Sequence, residues 1–164
     1  MIEQIKTIRE LSSRTEQILQ LAEEANELAI ESIKLRRKMM FRVIYPDAAF
    51  IEEIADVKIC IDIIGDYADN IKPYQINHSR NQILELLEKY CCELSKAAIK
   101  YRRTLVANSS PTLISEIEAE EKLLLEITKV KSCIDALGDY WDSDEVNRIY
   151  VDKANRCIDR YNER

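Results

Sequence analysis

The sequence predicts an all-α fold, a helical bundle, and three observations carry that prediction. Only two of its 164 residues are glycine and three are proline, which leaves little material for strands joined by tight turns. Apolar residues make up 46% and charged residues 33%, the mixture expected of long amphipathic helices. The third observation is an internal repeat of helical segments.

Taken in order, a short opening helix covers about 2–11. Ser13-Arg14-Thr15-Glu16 then reads as a capping box, a hydroxyl at the N-cap and a glutamate three positions on, so a long helix covers about 14–39. After a connector, a strongly apolar helix covers about 47–69, with Ile51, Ile54, Val57, Ile61 and Ile64. Segment 70–77 is broken by Pro73, and Ser79-Arg80-Asn81-Gln82 is a second capping box that opens a helix of about 80–104. Asn108-Ser109-Ser110-Pro111 has loop composition and precedes a helix of about 113–141. A last helix, about 143–162, carries Val146, Ile149, Tyr150, Cys157, Ile158 and Tyr161 at helical spacing.

The repeat organises these elements into two copies and a closing helix. The two capping boxes lie 66 residues apart, and Ile5-Lys6, Glu27-Leu28, Ile33-Lys34 and Arg36-Arg37 fall on Ile71-Lys72, Glu93-Leu94, Ile99-Lys100 and Arg102-Arg103 at the same offset. At an offset of 73, Glu53 to Tyr67 matches Glu126 to Tyr140 at ten of fifteen positions, through Gly65 and Gly138. Copy one is about 2–69 and copy two about 70–141. Neither can bury its apolar stripes alone, so 1–164 is expected to be one domain in which the copies pack face to face.

Charge and cysteine usage narrow the function. The net charge of −6 provides no basic field for a DNA or RNA polymer. An acidic protein that handles phosphates usually needs a metal between its carboxylates and its ligand. The five cysteines have no metal-ligand spacing and read as structural thiols of a reducing cytoplasm. No stretch approaches the roughly 20 apolar residues of a membrane span, and Met1-Ile2-Glu3-Gln4 lacks a signal-peptide pattern. A soluble, intracellular protein without membrane partners is the expectation.

The chemistry-bearing pattern is a set of carboxylates. Glu24 and Glu27 share a face of the first long helix, with Glu31 one turn beyond, and Glu53 and Asp56 are three apart on the partner helix. Glutamates at this spacing are common on exposed faces. Glu53 and Asp56, however, lie among isoleucines, where like charges repel and a hard cation such as magnesium would neutralise them.

Glu23-Glu24-x-x-Glu27, then 25 residues, then Glu53-x-x-Asp56 resembles the EExxE…ExxD signature of the MazG-like superfamily, as do the flanks LAEEANELA and IEEIADV. The resemblance implies an all-α enzyme that hydrolyses a (deoxy)nucleoside triphosphate to the monophosphate and pyrophosphate with Mg2+, or Mn2+. It implies Glu24, Glu27, Glu53 and Asp56 as metal ligands, with Glu23 or Glu27 as the catalytic base. In copy two, Glu23, Glu24 and Asp56 become Lys89, Tyr90 and Lys129, while Glu93 and Glu126 survive, so one metal site per chain is expected. Duplicated members such as the dimeric dUTP hydrolases are the nearer likeness, and a homodimer and a self-sufficient monomer both stay open.

For the substrate phosphates the first candidate is Lys34 and the second Arg37. Both also close a helix, where cations complement the dipole, and copy two keeps Lys100, Arg102 and Arg103 without the site. Tyr90, Trp141 and Tyr67 are candidates to stack on a base, against a background in which aromatics at helical spacing are usually core. His78 has no second member for a triad or zinc site. Two other functions compete: a hydrolase of a modified or phosphoribosyl nucleotide, and a catalytically dead helical interaction module.

Overall fold

A computed structural model describes residues 2–41, 46, 48–65, 76–106, 113–141 and 143–163. Every regular element among them is helical: α1 (Ile2–Leu11), α2 (Arg14–Met40), α3 (Ala48–Ile64), α4 (Arg80–Leu105), α5 (Glu116–Leu137) and α6 (Ser143–Asn162). Both expected capping boxes form. Ser13 N–H donates to Glu16 Oε2 at 2.9 Å, and Ser79 N–H donates to Gln82 Oε1 at 3.0 Å.

Two boundaries differ from expectation. Helix α5 starts at Glu116, not 113, because Ser115 and Glu118 make a third capping box, with Ser115 N–H donating to Glu118 Oε2 at 2.8 Å. It ends at Leu137 and tightens into a 3-10 turn, Gly138–Tyr140. Helix α3 ends at Ile64, short of 69, since Gly65 takes φ +84, outside the helical region. The loop 108–111, segment 71–75 and Tyr67 lie outside the described residues.

Helices α2 to α5 form an antiparallel bundle in the order α3, α2, α4, α5. Arg14 Nη1 donates to Ile64 O (2.9 Å) at one end of the α2–α3 pair, while Leu35 and Phe50 meet near the other. Asn26 donates to Ser95 Oγ at 2.9 Å and Arg36 to Glu88 at 2.8 Å, so α2 and α4 run oppositely. Tyr101 donates to Glu120 at 3.0 Å, and Lys129 lies 5.5 Å from the Tyr90 ring centre, which sets α5 against α4 in the same sense.

Helices α1 and α6 cover the opposite side of α3. The main core joins Ile54, Val57, Cys60 and Ile61 of α3 to Leu21, Leu28, Leu87, Leu94, Leu123 and Ile127. A second core joins Ala55, Ile59 and Ile63 of the same helix to Ile5, Ile8, Tyr150 and Ala154. Burial on two faces explains why α3 is apolar almost all round its axis. Its end is held by α1 and α2: Arg9 donates to Asp62 O (2.8 Å) and Ile63 O (2.9 Å), taking up carbonyls left without helical partners.

No described helix is long and apolar enough to cross a membrane. Cys60, Cys91 and Cys133 are buried, as packing thiols should be, whereas Cys92 is exposed and Cys157 is half-buried.

A side chain at Gly65 would both strain the backbone and meet Arg9, whose Nη2 lies 2.5 Å from where a Cβ would stand. Gly65→Ala should therefore destabilise the chain by about 1–2 kcal/mol in urea unfolding. Gly138→Ala should cost far less, since nothing lies within 4 Å of a Cβ there.

Candidate metal centre

The carboxylates converge because α2 and α3 pack antiparallel with their i, i+3 acidic faces turned to a common seam. One oxygen from each of Glu24, Glu27 and Glu53 can be chosen so that all three lie within 4.8 Å of one another. Glu24 and Glu53 are half-buried and Glu27 is exposed. Oxygen Oε2 of Glu53 is itself buried and has no hydrogen-bond partner. A buried acceptor without a donor is costly unless something satisfies it, and a hard cation is the species that three carboxylates would take. The residues present thus fit a magnesium or manganese ion.

Asp56 stands beside this trio but is paired differently. Its Oδ2 accepts from Lys153 Nζ, which also lies 3.9 Å from Glu52 Oε2. Lys153 comes from α6, which packs on α3; Tyr150 OH, one turn earlier in α6, donates to Asp62 Oδ2 at 2.7 Å. The same face of α6 brings Arg156 and Arg160 into the cleft. That cleft, of about 310 Å³, is lined on one side by Glu24, Glu27, Glu53 and Asp56 and on the other by Lys153, Arg156 and Arg160.

The other expected site residues fall elsewhere. Glu23 is exposed and lines an adjoining groove between α2 and α6, shared with Glu24 and Arg160. Lys34 pairs with Glu31 and is 54% exposed, outside the cleft lining, and Arg37 is exposed and likewise outside it. Trp141 packs on Phe50 with ring centres 5.9 Å apart, and Tyr90 packs against the main core.

Sequence reasoning missed the α6 cations. Their signal is Lys153, Arg156 and Arg160 at i, i+3 and i+7, which is indistinguishable in a lone sequence from a solvated helix face.

At the positions of α4 and α5 that the repeat equates with the site, the charges are cancelled internally. Lys129 donates to Glu126 at 2.8 Å, and Lys96 donates to Glu93 at 2.8 Å. Among the described residues, the only group of three or more acidic, histidine or cysteine ligands close enough to hold a metal is Glu24, Glu27 and Glu53.

Burial first, and then repulsion from Asp56 and Glu27, pushes the Glu24 and Glu53 carboxyls up to about 7. Burial also raises Asp56, against the opposing hydrogen bond and charge of Lys153. The seam is thus under electrostatic stress that either protons or a cation relieves.

Comparison of the chain with protein-family models, with curated proteins and with solved structures finds no match.

The raised carboxyls set a pH dependence for the metal-free chain. Folded Glu24 and Glu53 hold protons that the unfolded chain releases above 4.5, so their contribution to stability is full below that pH and is lost as pH rises through about 7. Denaturant titrations with chelator present should show the native chain losing stability across this window more steeply than Glu24→Gln. Equal slopes would contradict the burial of that charge.

Proposed function

We propose that the chain is a magnesium-dependent nucleoside triphosphate pyrophosphohydrolase of the MazG-like kind. It would use one water to split a ribo- or deoxyribonucleoside triphosphate into the monophosphate and pyrophosphate. The observation that carries this reading is the convergence of Glu24, Glu27 and Glu53, with a buried and unpartnered Glu53 oxygen, in a cleft whose facing wall is cationic. Carboxylates draw a divalent ion, and the opposite wall suits the phosphates that accompany it.

Glu24, Glu27 and Glu53 would hold the metal, with Asp56 as a further ligand. Bound there, magnesium or manganese supplies a Lewis acid that lowers the pKa of water and offsets charge on the leaving pyrophosphate. Arg156 and Arg160 would bind phosphate oxygens, a role that the geometry favours for them over Lys34 and Arg37. Glu27, the solvent-open member of the trio, is the better placed to accept the proton of the attacking water, since Glu23 faces the adjoining groove. The same machinery would serve a modified or phosphoribosyl nucleotide.

One observation favours the competing reading of a silent helical module: Lys153 already neutralises Asp56, as Lys129 neutralises Glu126. A panel of ribo- and deoxyribonucleoside triphosphates, together with modified and phosphoribosyl nucleotides, separates the two when pyrophosphate release is measured with magnesium and with chelator. Magnesium-dependent release from one or a few of them is expected, and release from none would leave the module. Glu53→Gln should lower turnover about a hundredfold or more with helix content unchanged by circular dichroism. Full activity in that variant would remove the metal assignment.

A further inference from the structure

Asp56 is the one carboxylate of the expected ligand set that does not join the converging trio, and it is also the one that already has a cation. That cation arrives from a different helix. Lys153 sits between Asp56 and Glu52, with its side chain 18% exposed and that of Asp56 20% exposed. The pair is therefore partly shielded from water, and either partner left alone would be a poorly solvated charge.

We propose that Lys153 is a cationic latch on the metal centre: it occupies Asp56 in the metal-free chain and must leave when a divalent ion takes Asp56 as a ligand. The proposal rests on the metal reading of the trio given above. A divalent ion on Asp56 would bring two more positive charges beside the Lys153 ammonium in a partly shielded seam, and that repulsion sets lysine and metal in competition for Asp56. The competition lowers metal affinity and keeps the seam partly neutralised while it waits.

The lysine can leave without disturbing the fold. Neighbouring Tyr150 and Ala154 fix α6 to α3 through buried contacts, so the helix backbone stays in place. The ammonium rides on a flexible four-carbon stem and can swing into the cleft that Arg156 and Arg160 line.

The α4–α5 half provides the contrast. There Lys129 and Glu126 belong to one helix, three residues apart, with Glu126 only 4% exposed and the ammonium 5.5 Å from the Tyr90 ring centre. That pair is built into a single helix turn and lies under an aromatic ring. The Lys153–Asp56 pair joins two helices and faces an open cleft, the arrangement of a releasable contact.

Calorimetric titration of the full chain with magnesium alone tests the latch. Lys153→Met should bind magnesium about tenfold more tightly than the native chain, and Lys153→Arg, which keeps the charge, should stay near native. A folded Lys153→Met with native or weaker affinity would overturn the latch and leave the metal centre standing. Absence of magnesium binding in both native and variant chains would overturn the metal reading and the latch with it. Should Lys153→Met fail to fold, the side-chain Nζ resonance of Lys153 in the native chain decides instead. It should shift as magnesium saturates the site, and an unmoved resonance at saturation would refute the proposal.

Discussion

Everything distinctive about this chain follows from α3 being covered on two sides. A helix at the edge of a bundle normally offers one apolar stripe to the core and one polar face to water. Helix α3 instead gives Ile54, Val57 and Ile61 to the main core and Ala55, Ile59 and Ile63 to the layer formed with α1 and α6. Glu53 and Asp56 occupy a narrow, half-buried seam between the two cores. Their charge is confined where water is scarce, so protons, a lysine or a metal must answer it.

The all-α architecture and most helix limits were legible in the sequence because they rest on local chemistry. Ser13 with Glu16 and Ser79 with Gln82 declare helix starts by the bonds they make within one turn. The same signal at Ser115 and Glu118 sets the start of α5 at Glu116, not 113. The overrun past Gly65 has another cause. The repeat equates it with Gly138, yet Gly138 keeps φ near −57 in open space, while Gly65 turns to φ +84 under Arg9. Both helices end at their glycine, but α5 passes into a 3-10 turn, while the end of α3 is held by a guanidinium from α1, fifty-odd residues away in the chain.

The candidate site divides the same way. Glu24, Glu27 and Glu53 come together because i, i+3 spacing on adjoining helices fixes a shared face, a relation readable from spacing alone. The cations were not readable. Lys34 and Arg37 drew attention by nearness in sequence, but the cleft takes its positive wall from α6, more than a hundred residues on. Only the docking of α6, set by Tyr150 and Ala154, determines which of its faces meets the carboxylates. Equivalent spacing can also carry opposite electrostatics: Glu53 and Asp56 repel across one helical turn, while Glu126 and Lys129 attract across the same interval.

Helix α6 is attached chiefly to α3 and α1, and among its described residues Val146 and Ile149 reach the main core. Its detachment would uncover the second core while most of the main core, built from α2 to α5, keeps its contacts, the arrangement that favours local opening of α6 as a unit. The cleft shares the lifetime of that unit. Backbone amides of α6 would trade hydrogen with solvent ahead of those in α2 and α4, and each such excursion dismantles the positive wall while the acidic one stays assembled.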